Sequence, residues 1–281
     1  MLGDLHVHTR YSDGSYTVAE ALSLARERRL DYIGIVDHDT TAGIAEALRL
    51  APEYDLIVVP GIEISAFDSK RNRKVHLLGY GLHPGSPAVN ELCTPLLSAR
   101  HENTLWQIDQ LVAAGYAISR DEVEAVAAPA AVLYKQHVMQ VLVNKGYTDA
   151  IYSPLYARLF RNGGLCARDI AYVDVFAALE AILADGGIPV LAHPGQLDSY
   201  EVLEELIASG LKGVELYHAD HSVADHKRVL GVLHRHPDLI ATGGSDDHGE
   251  FGSSCRLGDI RAPHAAQRVM QGGREPLIQF A

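Results

Sequence analysis

Cysteine is almost missing from this chain: Cys93, Cys166 and Cys255 are three in 281 residues. The number is odd, the positions are far apart and no Cys-x-x-Cys spacing occurs, which excludes a disulfide framework and a thiolate zinc site. Long apolar runs are missing too. No window reaches the roughly 18 uninterrupted apolar residues of a membrane span, and the opening Met-Leu-Gly-Asp-Leu-His has no basic region leading into an apolar stretch. A cytoplasmic protein is the expectation. Cations are outnumbered, 24 Lys and Arg against 36 Asp and Glu, and the net charge of −12 gives no long-range attraction to a polyanion such as duplex DNA. A small phosphorylated ligand stays compatible with that balance, because bound metal cations invert the sign of a local field. There is no Walker P-loop, no dinucleotide Gly-x-Gly-x-x-Gly at a βαβ start and no Gly-x-Ser-x-Gly elbow.

What the chain does have is histidine, 15 residues, roughly twice the usual share for a globular protein. Hydrophobic content of 47% and a mean hydropathy near zero fit an ordinary globular enzyme. Apolar patterning predicts strands at Leu2–Thr9, Tyr32–Val36, Leu56–Val59 and Lys74–Leu78, with helices at Val18–Arg29 and Thr41–Leu50. After a long helical stretch, alternation resumes with helix Val173–Ala184, strand Ile188–Ala192, helix Tyr200–Ala208, strand Gly213–Leu216, helix Val223–His236 and strand Leu239–Thr242. Alternation of this kind predicts an α/β fold with a mostly parallel sheet. Residues 1–86 and 165–281 form the catalytic unit in this reading, and 87–164 are a helical insertion contributing to the substrate pocket. Gly163-Gly164 is the candidate return hinge.

In a parallel barrel, reactive side chains gather at the C-terminal ends of the strands. His6 and His8 end the first strand, with Asp13 in its loop; His38 ends the second; Glu63 follows the third; and His76 lies within the fourth. His193 follows strand Ile188–Ala192, and Asp246 and His248 follow Leu239–Thr242. Residues two apart on a strand share a face, so His6 and His8 reach one ion from one side, as do Asp246 and His248 if that segment is extended. His101, His226 and His234 lie on helices and are set aside. Imidazole with carboxylate suits Mn²⁺, Fe²⁺ or Zn²⁺ rather than Ca²⁺, and the lack of thiolate argues against a purely structural zinc.

Asp4-Leu-His6-Val-His8, Tyr11-Ser-Asp13-Gly, Asp37-His38-Asp39-Thr, Pro60-Gly-Ile-Glu63, His76-Leu-Leu-Gly-Tyr, Ala192-His193-Pro-Gly and Gly244-Ser-Asp246-Asp-His248-Gly together resemble the PHP (polymerase and histidinol phosphatase) family. The resemblance implies a distorted (β/α)7 barrel with a helical insertion and a hydrolase acting on phosphoric ester bonds. It implies two or three divalent metal ions, held by His6, His8, Glu63 and Asp246; by Glu63, His76 and His193; and by Asp13, His38 and His248, with Glu63 bridging.

A metal-bridging hydroxide is then the expected nucleophile, and no covalent intermediate is required. His221, in Tyr217-His-Ala-Asp-His221, is the candidate proton donor to the leaving group, ahead of His218. The insertion resembles that of family members acting on small nucleotides, including 3′,5′-bisphosphates, where an Arg-x-His segment overlooks the substrate phosphate. Here Lys135-Gln-His137 stands at that place, so Lys135, His137 and His221 are the candidate phosphate-binding residues. Lysine is a point charge rather than a fork. Tyr134-Lys-Gln-His, Lys145-Gly-Tyr-Thr-Asp and Ile151-Tyr also resemble a sibling branch acting on cyclic phosphates of phosphorylated ribose, by opening the diester and then removing phosphate. The expected ligand is a nucleotide or ribose phosphate, not a polymeric nucleic acid or a membrane. Histidinol phosphate phosphatase, a PHP exonuclease and a non-catalytic metal-binding domain are the alternatives.

Overall fold

Short strands too apolar to leave either face in water need cover on both sides, and a sheet curled on itself inside a layer of helices provides it. The computed structural model describes residues 1–161 and 163–266. Its strands are β1 (Gly3–Val7), β2 (Tyr32–Ile35), β3 (Ile57–Asp68), β4 (Arg73–Tyr80), β5 (Val173–Asp174), β6 (Ile188–Leu191), β7 (Gly213–Tyr217) and β8 (Ile240–Gly243). Pairing runs β1-β2-β3-β4-β6-β7-β8, with β5 attached to β3. A bridge between Val7 and Asp247, in which His8 N–H donates to the Asp247 carbonyl at 3.0 Å, nearly closes the sheet into the expected barrel. The distortion has an identifiable source: β4 is antiparallel to both β3 and β6.

Two of the departures from the periodicity reading have a clear cause. β3 does not stop at Val59 but continues to Asp68, because Gly61–Asp68 pairs residue by residue with β4 in a long hairpin. Glu63 therefore lies inside a strand rather than after it. Val173–Asp174 is the short β5, and the helix begins at Val175, because the Asp174 carboxylate caps the Phe176 and Ala177 N–H groups.

The helices are α1 (Val18–Glu27), α2 (Ile44–Leu50), α3 (Pro87–Ala113), α4 (Arg120–Ala127), α5 (Lys135–Asn144), α6 (Pro154–Phe160), α7 (Val175–Ala184), α8 (Pro194–Leu197), α9 (Leu203–Ala208) and α10 (Val223–Arg235). Capping boxes at Thr17/Glu20, Ser119/Glu122 and Ser222/Asp225 set three of the starts. The segment expected to be inserted has an apolar core of its own, including Ile108, Leu111, Val123, Val138, Leu142 and Leu155, and Phe251 from the barrel side joins it. Val89 and Cys93, at the start of α3, pack instead with Leu179 and Ile182 of α7 in the barrel layer. The change from one core to the other thus falls within α3. At the far end of the segment Gly163 takes φ +75°, and a Cβ on Gly164 would run into the Arg158 and Leu159 carbonyls. Of the 165–281 segment expected to complete the barrel, residues 267–281 lie outside the described residues. Among the described residues no helix is long and apolar enough to cross a membrane.

The close approach of β1 and β2 depends on a missing side chain. A Cβ at Gly34 would lie 2.5 Å from the Leu5 carbonyl oxygen, a backbone atom that cannot step aside. Gly34→Ala is expected to cost about 1–3 kcal/mol, as overpacked cores do, and to lower the midpoint of thermal unfolding; an unchanged midpoint would mean that β1 and β2 tolerate separation.

Candidate metal centre

The strand ends and the reversed hairpin deliver the nine sequence-predicted ligands to one rim. His6 is in β1 and His8 is one residue beyond it; His38 follows β2 and forms a bridge to Glu63 of β3. β4 runs the other way, so His76 reaches the rim from its first half, while His193 follows β6. Asp246 departs from the extended geometry that would have let it share an ion with His248. Its φ is +53°, a left-handed conformation uncommon outside glycine. The Asp246 carboxylate accordingly turns to His6 and His8, at 3.3 and 3.1 Å, whereas the His248 ring approaches Asp13 at 3.4 Å.

Glu63 is the centre of the arrangement. Its Oε2 lies 3.2 Å from Nε2 of both His6 and His8 and 3.3 Å from Nε2 of His38. Its Oε1 lies 2.9 Å from His76 Nδ1 and 2.8 Å from His193 Nε2. The potential donor atoms of His6, His8, Glu63 and Asp246 all fall within 4.8 Å of one another, as do those of His8, Asp13, His38 and His248, and those of His38, Glu63 and His76. In the first group His6 Nε2, His8 Nε2, Glu63 Oε2 and Asp246 Oδ1 are buried without a hydrogen-bond partner. Four converging donors that the protein does not satisfy fit a cation, since unpaired buried polar atoms are otherwise costly. Burial opposes charge on Glu63, yet the imidazoles of His38, His6 and His76 hold it well below the usual carboxylate range. Burial likewise opposes charge on His8, and the Asp246 and Glu63 carboxylates push it up to about 10. His38 is driven by burial down to about 3.

A cavity of about 630 Å³ is lined by Asp13, His38, Glu63, His76, His193, Asp246 and His248 of the cluster, and also by Lys135, Tyr152, Tyr156, Arg161 and Arg168. Lys135 is where the sequence reading expects a phosphate-binding group, its ammonium 5.8 Å from the Tyr156 ring centre. His137 and His221 are not among the residues lining that cavity. His137 is buried behind it, where its Nδ1 accepts from Tyr134 N–H at 3.1 Å and its ring packs against Phe251. His221 spends both ring nitrogens on backbone: Nδ1–H donates to the Leu216 carbonyl at 2.9 Å, and Nε2 accepts from Gly195 N–H at 3.1 Å. It ties the loop after His193 to β7 and has no proton to offer the cavity, so it gives up the donor role expected for it. His218 faces the cavity in its place. Asp220 N–H donates to His218 Nδ1 at 3.1 Å, which leaves the ring proton on Nε2, 3.3 Å from Asp246 Oδ2.

Residues 4–153 match the PHP domain, more than half of the chain. The chain belongs to the PHP domain family. It is 46% identical over 96% of its length, and 99% of the relative's, to the phosphoribosyl 1,2-cyclic phosphate 1,2-diphosphodiesterase of Eggerthella lenta. It is 30% identical, over 87% of its length and 86% of the relative's, to the 3′,5′-nucleoside bisphosphate phosphatase of Chromobacterium violaceum. A Bifidobacterium adolescentis structure described as a metal-dependent phosphoesterase superposes with a TM-score of 0.89 at 28% identity, covering 97% of this chain and 96% of that one. In fold, in donor set and in relatives the chain is a PHP phosphoesterase.

The PHP cluster rests on buried acids that the strand-end argument passed over. Glu215, fully buried in β7, places Oε1 3.1 Å from His6 Nδ1 and accepts from His193 N–H with Oε2 at 2.8 Å. The first contact sets the His6 tautomer so that Nε2 faces Glu63 and Asp246. Asp4 accepts from Ser245 N–H at 3.0 Å and its hydroxyl at 2.6 Å, and from Gly258 N–H at 2.8 Å. Burial pushes Asp4 up to about 6 against those hydrogen bonds. A lone acid in the otherwise apolar Gly-Val-Glu215-Leu was the available signal for Glu215. Glu215→Gln is expected to weaken divalent-metal affinity about 10- to 100-fold, read by competition with a chelator of known strength; unchanged affinity would reduce Glu215 to packing.

His137 gives a pH prediction. Burial pushes it down to about 4, with Asp13 opposing, whereas the unfolded chain protonates near 6.5. Between those values the unfolded state binds more protons, so stability falls on acidification from about pH 6.5 to pH 4. Urea unfolding at pH 7 and pH 5 should show a smaller acid loss in His137→Asn than in the parent, by about 1–2 kcal/mol. Equal losses in the two proteins would put the acid sensitivity elsewhere.

Proposed function

We propose that the chain hydrolyses a cyclic phosphodiester on a phosphorylated ribose and then removes the resulting phosphate monoester. The observation that carries this reading is a single cavity lined both by seven of the nine predicted ligands and by the cations Lys135, Arg161 and Arg168. A substrate with two phosphates finds a partner for each, one at the cluster and one at Lys135, Arg161 and Arg168. Near-full-length similarity to the phosphoribosyl cyclic phosphate enzyme favours ribose over a nucleotide, and the point charge of Lys135 agrees.

His6, His8, Glu63 and Asp246, then Glu63, His76 and His193, then Asp13, His38 and His248 would hold two or three cations of the Mn²⁺, Fe²⁺ or Zn²⁺ class. Bound there, they would supply a water of lowered pKa and neutralise phosphoryl charge. The protein's own groups do the rest. Lys135 orients the distal phosphate, and Glu215 keeps His6 facing inward. His218 holds a proton at Nε2, where a departing alkoxide can take it. A nucleoside 3′,5′-bisphosphate is the second reading, favoured by the partly exposed Tyr152 ring on the cavity wall, a surface on which a base could stack.

Manganese-loaded protein is assayed against a ribose 5-phosphate 1,2-cyclic phosphate, a nucleoside 3′,5′-bisphosphate, histidinol phosphate and a short oligoribonucleotide. Selective turnover of the cyclic phosphate is expected, lost in His6→Ala and after chelation. Lys135→Met should raise KM about tenfold with little change in kcat, the pattern of lost uniform binding. Selective turnover of the bisphosphate would replace the first reading with the second, and no turnover at full metal occupancy would leave a binding domain.

A further inference from the structure

Where α3 crosses from the barrel layer to the second core, it sends one arginine down to the metal cluster. Arg100 Nη2 donates to Asp39 Oδ2 at 2.6 Å and to Ser65 Oγ at 3.0 Å. Ser65 is two residues from Glu63 on β3 and therefore on the same face of the strand. It is paired with His76 across the β3–β4 hairpin. Asp39 follows His38 directly in a left-handed turn, φ +60°, and Asp39 Oδ1 accepts from Ser65 N–H at 2.7 Å. The guanidinium thus lies at the edge of the His38–Glu63–His76 group without being a member of it. Tyr134 covers one side of it, its ring centre 5.1 Å away, and the Tyr134 hydroxyl donates to the His38 carbonyl at 2.9 Å.

One donor of this buried fork has nothing to bind. Arg100 lines the cavity, and its Nε is buried without a hydrogen-bond partner. A buried cationic N–H left unpaired carries the desolvation cost of that group, which an anionic acceptor in the cavity would remove. We propose that Arg100 is a ligand of the reacting phosphoryl group, donating from Nε–H to a non-bridging oxygen while Nη2 stays on Asp39. The inference rests on the phosphoesterase reading above. Two separate donors are needed for this double duty, and a lysine ammonium has no rigid second arm to divide between them. Arg100 is bonded to Asp39, next to His38, and to Ser65, two residues from Glu63, whereas Lys135 lies over Tyr156, so Arg100 serves the phosphate that reacts and Lys135 the distal one.

The test uses inorganic phosphate as the probe. Its affinity for the manganese-loaded protein is measured by calorimetry, and manganese content is determined in the same samples. Arg100→Gln should weaken phosphate binding tenfold or more with manganese content unchanged. Asp39→Asn, which keeps the guanidinium but weakens its anchor, should lower phosphate affinity less than Arg100→Gln does. Equal phosphate affinity in Arg100→Gln would overturn the inference. So would loss of manganese in parallel with phosphate, which would make Arg100 a brace for the His38 turn only. A drop in Asp39→Asn as large as in Arg100→Gln would also overturn it, by giving the effect to the ion pair. If Arg100→Gln does not fold, Arg100→Lys keeps the charge but lacks Nε–H, and the same tenfold loss is expected. Turnover of the cyclic phosphate by the parent protein is followed alongside. Turnover with an inert Arg100 sinks this inference alone, whereas no turnover sinks the phosphoesterase reading.

Discussion

A fully buried carboxylate, Glu63, surrounded by five imidazoles, is the constraint from which the remaining architecture follows. An ion in such a place is expensive unless its charge is answered at close range. Two imidazoles from within strands, His6 and His76, and three that follow strands, His8, His38 and His193, supply that answer, and they reach it only if the sheet curls far enough to bring β1 back beside the Asp247 bridge. The β3–β4 hairpin matters for the same reason. By extending β3 past Glu63 and reversing β4, it sets His76, paired with Ser65, diagonally across from Glu63 instead of leaving the two at the ends of separate strands. The distortion of the barrel and the position of its central carboxylate are one feature.

Around that centre the chain arranges two kinds of support. Buried acids, chiefly Glu215 and Asp4, fix ligand orientation from inside the barrel through hydrogen bonds to His6, to the His193 backbone and to Ser245. The helical segment does so from outside, through Tyr134 on the His38 carbonyl and Arg100 on Asp39. Because α3 belongs to the barrel core at one end and to the second core at the other, Arg100 on it links the second core to the turn after His38. The proposed substrate contacts and the candidate metal ligands are therefore held by connected elements, the preorganisation that phosphoryl chemistry depends on.

The sequence made the candidate ligands legible because strand ends are where a barrel exposes reactive groups, and most of the nine follow or end a strand, although Glu63 and His76 lie inside β3 and β4. Length and partner were harder to read. Nothing in Pro60-Gly-Ile-Glu-Ile-Ser says that the strand continues, since its pairing with β4 is non-local. The choice between His218 and His221 was not legible at all. Two histidines in one His-Ala-Asp-His turn differ only in which backbone atoms they meet, and a loop histidine that caps backbone looks the same in sequence as one that faces a cavity. His137 failed similarly, as a helix-start residue whose ring turned back to cap its own helix. Arg100 left no motif, because its role arises from contact with residues about 35 and 61 positions away.

The most direct measurement is the metal content and affinity of Glu63→Gln beside the parent protein, by equilibrium dialysis against Mn²⁺ with elemental analysis. If the carboxylate is the shared ligand about which the centre is built, the amide removes its charge from two of the three ligand groups at once, and the parent's two or three equivalents should fall by at least one while the fold is kept. Full retention of manganese by Glu63→Gln at parent affinity would contradict the account, and the five-imidazole convergence on Glu63 would then be a structural ion cluster rather than a metal centre.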